Sequence, residues 1–228
     1  IYTLWHTLSL HDALPILLFL DRAQEDHPIP NLGHYETTNP CGEQFLMPYE
    51  NCCLGSINLA RHLSTTEEGE PTVDWEAIAS TVAVATRFLD DVVSANAYVP
   101  AVPQLAEAAH QARRIGLGIM GFADLLYHMR IAYGSLEAQE LAAQLMEFIR
   151  YRSMLTSIEL AAERGPFPLI EGSVYDPAHL TWRPPEWPDW LGSGPTHDWG
   201  RPNLEWDDVL AGIRATGIRN STQLTIAP

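Results

Sequence analysis

Apolar side chains recur at helical spacing in four stretches of the chain. The clearest stretch covers residues 74–96, where Asp74 suits the N-cap position. Its apolar residues follow one another at intervals of three or four: Ile78, Val82, Ala85, Leu89 and Val92. This spacing predicts an amphipathic helix, and further helices are predicted over residues 104–113, 135–164 and 206–216.

The longest predicted helix, residues 135–164, has a clear beginning and end. Ser135 is the expected N-cap, and Gly165 and Pro166 stop the helix. Its expected core stripe consists of Leu141, Leu145, Phe148, Leu155, Ile158 and Ala162.

Shorter apolar runs between the helices predict strands. Residues 35–43 are expected to be extended, residues 48–51 to turn, and residues 52–63 (CCLGSINLARHL) to form a second strand. A last strand is predicted over residues 222–228, TQLTIAP. The pattern therefore predicts a mixed α/β fold.

One long segment, about residues 176–206, has no clear period. It is rich in Pro, Trp, Gly and Asp. We interpret it as a long surface loop or insertion.

Charge and cysteine content exclude several classes of function. The 228 residues carry a net charge of −16, and all 13 basic residues are Arg. Such an acidic chain is not expected to bind nucleic acid, because contacts of basic side chains with phosphates supply most non-specific affinity.

Three cysteines do not make a disulfide framework, which favours a cytoplasmic protein. The apolar run over residues 13–20 is too short to span a bilayer, so no membrane association is expected.

A thiol, a carboxylate and an amide alternate in the stretch TTNPCGEQ. Alternate side chains of an extended strand share a face. Asn39, Cys41 and Glu43 would then line one surface within reach of a sugar-sized molecule, with Pro40 and Gly42 pointing away. The spacing predicts a site with three functional groups.

Other interpretations of the cysteines remain open at this point. Cys41 could be a buried structural thiol, since free cysteines are among the most buried residues. A zinc site formed by Cys41, His34, Cys52 and Cys53 is disfavoured because it lacks a C-x-x-C pair. The histidines show no metal-binding spacing, so no metal site is predicted.

Three glycines spell G-x-G-x-x-G: Gly116, Gly118 and Gly121. This motif marks a dinucleotide site only where it follows a strand and opens a helix. A helical, charged segment precedes it here. We therefore expect a closely packed strand-to-helix connection in which small residues allow close approach.

At the level of whole motifs, TNPCGEQ followed by CCLGSINLA resembles the active-site region of the catalytic subunit of ribonucleotide reductases. It is most similar to the adenosylcobalamin-dependent class II. The similarity covers residues 17–228 apart from about residues 181–203, and it includes HPIPNLG, TRFLDDVVSAN, RRIGLGIMGFADLL, ELAAERGPFP and GIRNSTQLTIAP. The resemblance implies part of a ten-stranded α/β barrel, incomplete at both ends, with Cys41 on a loop through its centre.

The resemblance also assigns roles to the alternating residues. Cys41 would become a thiyl radical that takes the 3′ hydrogen of the ribose. Glu43 would be the general base on the 3′ hydroxyl, and Asn39 would orient the sugar. Pro40 and Gly42 would complete the substrate-binding stretch.

Two further parts of the active site are implied near Cys52 and Pro228. Cys52 lies eleven residues after Cys41, where the family has one of two cysteines that reduce the 2′ carbon, on a paired strand. Cys53 would face the other way and is expected to be packed. Ala227 and Pro228 are similar to the start of a loop that binds the substrate phosphates. The partner of Cys52 is expected upstream, outside the chain.

The resemblance implies adenosylcobalamin as cofactor, a ribonucleotide substrate, a thioredoxin-like reductant and a homodimeric complete protein. The activity would be that of a vitamin B12-dependent ribonucleoside-diphosphate reductase. The alternatives are a class I large subunit with a separate radical-generating subunit, or an inert truncated product. We expect this polypeptide alone to be inactive.

The first sixteen residues form a separate case. IYTLWHTLSLHDALPI is similar to the translation of a common sequencing-library adapter. We therefore expect residues 1–16 to carry no function and residues 17–228 to be a partial catalytic barrel domain.

Overall fold

The computed structural model describes residues 18–51 and 53–226. The helices are α1 (Leu20–Glu25), α2 (Trp75–Ala95), α3 (Pro103–Ala112), α4 (Phe122–His128), α5 (Leu136–Arg164) and α6 (Trp206–Thr216). The strands are β1 (Thr37–Thr38), β2 (Phe45–Leu46), β3 (Leu54–Asn58), β4 (Leu63–Thr65), β5 (Pro71–Val73) and β6 (Gly116–Met120). The mixed α/β content predicted from the sequence is confirmed.

Parallel pairing centres on β6. It pairs with β3, with Gly116 opposite Leu54. On its other edge, the Leu117 N–H donates to the Gln223 carbonyl at 2.8 Å, and the Thr225 N–H donates back to Leu117 at 3.2 Å. We call residues 222–225 the C-terminal segment.

This sheet stays open. Two antiparallel pairs, β1 with β2 and β4 with β5, lie outside it. Within residues 18–51 and 53–226 the strands do not close into a barrel, so the ten-stranded barrel that the resemblance implies is not seen in this part of the chain.

The helices begin where their sequences predict. Asp74 accepts a hydrogen bond from the Ala77 N–H at 2.9 Å, and Ser135 accepts one from the Ala138 N–H at 3.1 Å. Each bond satisfies one of the free amides of a first turn. Both predicted N-caps are confirmed.

The predicted core stripe of α5 is correct except at its last residue. Leu141, Leu145 and Phe148 are buried in the core shared with α2. Leu155 and Ile158 are partly buried and pack against the core shared with α6, and Ala162 is exposed. The later half also buries residues outside the stripe, including Met154, Ser157 and Leu160. The reason is that α5 packs against both α2 and α6, so the buried face differs between the two ends of the helix.

The prediction that residues 35–43 are extended is wrong. Only Thr37–Thr38 is strand, and the chain then reverses into β2. Gly42, at φ +87°, adopts a conformation that turns the chain back. The expected strand after residue 52 exists as β3, but it pairs with β6 and not with the segment that carries Cys41. The Gly116 N–H, which donates to the Cys53 carbonyl at 2.9 Å, ties β3 to that sheet.

The irregular segment over residues 176–206 is attached to the helices by buried polar contacts. It contains one short 3-10 helix, Asp189–Leu191. Glu140 accepts the N–H groups of Thr196 at 2.6 Å and His197 at 2.7 Å. The Trp75 indole donates to the Trp199 carbonyl at 2.7 Å.

No helix in the described ranges combines the length and apolar character needed to cross a membrane.

Candidate functional site

A tight hairpin turn, residues 39–44, connects β1 and β2. The Gly42 N–H donates to the Asn39 carbonyl at 3.0 Å, and the Asn39 N–H donates to the Gln44 carbonyl at 3.2 Å. We call these six residues the Cys41 turn. It is a turn closed by its own backbone.

The side chain of Asn39 bridges the turn. Its Oδ1 accepts the Gln44 N–H at 3.0 Å, and its Nδ2 donates to Glu43 Oε1 at 2.5 Å. The turn therefore brings the predicted amide and carboxylate into direct contact, whereas strand alternation was the geometry expected. The other carboxylate oxygen of Glu43, Oε2, is buried without a hydrogen-bond partner in the part of the chain that the structure describes. It is an available acceptor beside the amide.

The two described cysteines have different environments. Cys41 is exposed near the tip of the turn. Cys53 is partly buried against the main core, and its thiol lies 3.7 Å from the Leu89 carbonyl. Burial raises the pKa of the Cys53 thiol, which favours the unreactive form. The interpretation of Cys41 as a buried thiol is wrong, and the predicted packing of Cys53 is confirmed.

The base of the hairpin is anchored by aromatic and charged groups. The rings of His27 and Tyr35 stack at 4.0 Å, and the Arg114 guanidinium lies 5.7 Å from the Tyr35 ring centroid. The Ile29 N–H donates to His27 Nδ1 at 3.1 Å. Burial, followed by the charges of Arg114 and His34, lowers the pKa of His27 to about 4. The stacked His27 ring is therefore neutral at pH 7.

The Cys41 turn also contacts the parallel sheet. Gln44 is buried, and its amide nitrogen lies directly over Gly116 at the start of β6. The glycine-rich segment is thus a site of close approach, as predicted. Gly116 and Gly118 lie inside the strand and Gly121 is the N-cap of α4.

Several predicted site residues lie outside the described residues. They are Cys52, Ala227, Pro228 and residues 1–16, so their roles stay predictions. Within the two described ranges, no group of three or more His, Cys, Asp and Glu side chains could hold a metal ion.

A buried cluster around Asp90 was not predicted. Arg113 donates to Asp90 Oδ1 from Nε at 2.9 Å and from Nη2 at 2.7 Å, and Asn220 donates to the same oxygen at 3.0 Å. Arg164 and Arg219 approach Oδ2 at 3.2 and 3.4 Å. Asp90 itself is fully buried. We call these five residues the Asp90 cluster.

A signal for this cluster exists in the sequence. Asp90 continues the row of every fourth residue that begins with Ile78 and Val82, and it lies three residues before Val93, so it borders the apolar face of the predicted helix 74–96. A carboxylate at such a position requires buried partners. The arginines that supply them are distant in sequence, and only the tertiary structure identifies them.

Comparison with known proteins places these features in a family. The sequence matches the family described as "Ribonucleotide reductase, barrel domain" over residues 1–228. It is 45% identical over 164 residues to a vitamin B12-dependent ribonucleoside-diphosphate reductase of Thermoplasma acidophilum, covering 72% of this chain and 21% of that protein. The protein of the same name from Mycobacterium tuberculosis (strain CDC 1551) is 47% identical over 161 residues, covering 71% of this chain and 22% of that protein.

A third relative aligns over more of the chain at lower identity. The ribonucleoside-diphosphate reductase subunit alpha of Chlamydia pneumoniae is 34% identical over 219 residues, covering 91% of this chain and 19% of that protein. The chain thus spans about a fifth of the length of these relatives. By its sequence and its motifs, the chain belongs to the ribonucleotide reductase family and corresponds to the barrel domain.

Proposed function

We propose that this chain is part of a ribonucleotide reductase that makes deoxyribonucleotides for DNA synthesis by thiyl-radical chemistry. One observation carries the proposal. The Cys41 thiol is exposed in a turn whose Asn39 amide and Glu43 carboxylate are hydrogen-bonded to each other at 2.5 Å. Family membership supplies the reaction that these three groups suit.

Cys41 acts on the 3′ carbon of the ribose. As a thiyl radical it takes the 3′ hydrogen atom, and it returns that atom at the end of the cycle. Glu43 accepts the proton of the 3′ hydroxyl, and its Oε2 has no hydrogen-bond partner among the described residues. Asn39 orients the carboxylate and the sugar through its amide.

Reduction at the 2′ carbon requires two more thiols. Cys52 supplies one, and the second comes from a cysteine outside this chain. The 2′ hydroxyl leaves as water while the two thiols are oxidised to a disulfide, so each ribonucleotide reduced consumes two thiol hydrogens. A thioredoxin-like reductant then restores the pair.

In this proposal the first radical comes from a cofactor. Adenosylcobalamin supplies it when bound, because radical generation is that cofactor's own chemistry. The two B12-dependent relatives, at 45% and 47% identity, support the same choice.

The complete reductase would close the open sheet. Both outer edges, β3 and the C-terminal segment, are available for further strands, in keeping with a ten-stranded barrel. We further propose a homodimeric cytoplasmic enzyme in which Pro228 and the residues after it bind the substrate phosphates. Without those parts, we expect the 228-residue chain to show no turnover.

The test is reduction of ribonucleotides by the complete reductase that contains this chain. We expect deoxynucleotide formation only when adenosylcobalamin is added. The same assay on the 228-residue chain is the control for its inactivity. If the complete protein forms no deoxynucleotide with any radical source, the proposed function is wrong.

A class I large subunit is the second candidate. The chlamydial subunit alpha aligns with 91% of this chain, a longer alignment than those of the B12-dependent relatives. Turnover without adenosylcobalamin but dependent on a separate radical-generating subunit would decide for this candidate.

A further inference from the structure

We propose that Gln44 is a positioning residue that sets the depth of the Cys41 turn against the parallel sheet, and that Gly116 provides the space in which its side chain lies. This inference rests on the proposed function, because it concerns where the reactive thiol is held. It gives the first glycine of the G-x-G-x-x-G sequence a role that a dinucleotide site does not explain.

Both the backbone and the side chain of Gln44 are held in place. Its backbone makes two hydrogen bonds to Asn39, accepting the N–H at 3.2 Å and donating to Oδ1 at 3.0 Å. Its side chain extends to β6 and is only 6% exposed. A displacement of that side chain is therefore transmitted to Asn39, whose amide holds the Glu43 carboxylate.

Gly116 leaves no room for a side chain. A Cβ built on Gly116 would lie 2.6 Å from Gln44 Nε2, 2.8 Å from Leu54 Cδ2 and 3.0 Å from Thr225 Cγ2. The backbone of Gly116 is extended in β6, a conformation that any residue adopts. The glycine is required there by the close approach of its neighbours and not by a special backbone angle.

The three neighbours differ in their freedom to move. Leu54 is 40% exposed and can rotate toward solvent. Thr225 is buried, and its methyl group, at 3.0 Å, has to shift by a few tenths of an ångström. Gln44 is the nearest of the three neighbours and is buried, so an added methyl group at Gly116 requires its largest displacement from Gln44, and through Gln44 it acts on the Cys41 turn.

The experiment is a double-mutant cycle in the complete reductase, with Gly116→Ala, Gln44→Ala and the double variant. Gly55→Ala is the matched control, because Gly55 lies in the neighbouring strand and its added Cβ comes no closer than 3.4 Å to another atom. Turnover with kcat and KM separated, and hydrogen exchange of residues 37–46, are measured for each variant.

We expect Gly116→Ala to lower kcat on the order of 10²-fold with KM nearly unchanged, because small misplacements of reacting groups have effects of this size. Gln44→Ala should lower kcat roughly tenfold by loosening the turn. The double variant should match Gln44→Ala, so that it regains about tenfold over Gly116→Ala. Hydrogen exchange of residues 37–46 should increase most in Gly116→Ala and less in Gln44→Ala and the double variant. Gly55→Ala should behave like the unmodified enzyme.

Three outcomes would overturn the inference. They are normal kcat in Gly116→Ala, a double variant no better than Gly116→Ala, and an equal loss in Gly55→Ala. A merely structural role of Gly116 would lower stability without recovery in the double variant. If the unmodified enzyme forms no deoxynucleotide, the proposed function fails, while the exchange measurements still decide whether Gln44 positions the turn.

Discussion

The Cys41 turn and the Asp90 cluster are both polar, but they are built in opposite ways. The turn consists of six consecutive residues, and its central thiol is exposed. The cluster collects side chains from distant parts of the chain around a carboxylate with no exposed surface. Local bonds leave a reactive group accessible, whereas long-range bonds hold separate elements together.

This difference predicts where mutations will affect activity and where they will affect stability. Asp90 lies on α2, while its partners lie at the C-terminal end of α3, the end of α5 and the residues before the C-terminal segment. The cluster therefore fixes the position of the parallel sheet relative to the helices. The Cys41 turn contributes fewer contacts to the rest of the fold.

The largest expected effect is that of Cys41→Ser in the complete reductase. Turnover should fall on the order of 10³-fold or more, because a hydroxyl cannot carry the sulfur-centred radical. The stability of the 228-residue chain should stay unchanged by the same substitution, since the thiol is exposed there. Steady-state kinetics and thermal unfolding measure the two effects. Retained turnover would remove Cys41 from the radical role.

Asp90→Asn should have the next largest effect, this time on stability. Loss of one partner leaves several buried arginine charges uncompensated, which costs about 3–5 kcal/mol in free energy of unfolding. Urea unfolding of the 228-residue chain measures it. Asp91→Asn is the control, because Asp91 is about half exposed and, among the described residues, forms an ion pair with Arg164 alone, so its loss should cost about 1 kcal/mol or less. If both variants lost the same free energy of unfolding, the expected difference between the buried Asp90 cluster and the exposed ion pair would be wrong.

Glu140 is a second buried carboxylate, and it extends the comparison between buried polar groups and the exposed Cys41 turn. Burial by itself raises the pKa of Glu140, but hydrogen bonds from His197 and Thr196 outweigh it and lower the pKa to about 2, against 4.5 ordinarily. Glu140→Gln should destabilise the chain by about 2 kcal/mol at pH 7, since a buried site made for a carboxylate loses its charge.

The pH dependence of Glu140→Gln has a defined sign. A carboxyl with a lowered pKa in the folded state stabilises fully above its unfolded pKa of 4.5, and that stabilisation is lost as the pH falls toward about 2. The difference in urea midpoint between the unmodified chain and Glu140→Gln should therefore shrink over this range. A constant difference between pH 7 and pH 2 would contradict the assignment.

The smallest expected effect is that of Gly42→Ala on stability. The φ of +87° at Gly42 disfavours any side chain, at a cost of about 1 kcal/mol. Urea unfolding again measures it, with Gly55→Ala as the control in an ordinary strand conformation. A loss comparable with that of Asp90→Asn would mean that the Cys41 turn contributes far more to the fold than its local bonds indicate.

Helix positions followed closely from the sequence. Asp74, Ser135 and the Gly165–Pro166 pair mark ends that local chemistry decides, and the structure places the helices there. The motifs around Cys41 were likewise sufficient to indicate the family. Local capping and turn preferences act within a few residues, so a single sequence contains them.

The geometry of the site did not follow from spacing alone. An alternating Asn39, Cys41 and Glu43 suggested a strand, but cross-turn bonds and the positive φ of Gly42 produce a hairpin turn. The later half of α5 also buries Met154, Ser157 and Leu160, which lie outside the stripe that its apolar period suggests. In both places long-range packing or a specific backbone angle overrides the periodic pattern.

The sequence by itself determined the helices, their caps and the residue types available for radical chemistry. Only the tertiary structure decided that Gln44 lies against Gly116 and that Asp90 gathers arginines from three other segments. The physical reason is range. Periodicity and capping reflect forces between neighbours in the chain, whereas close approach and charge compensation depend on which distant segments meet when the core forms.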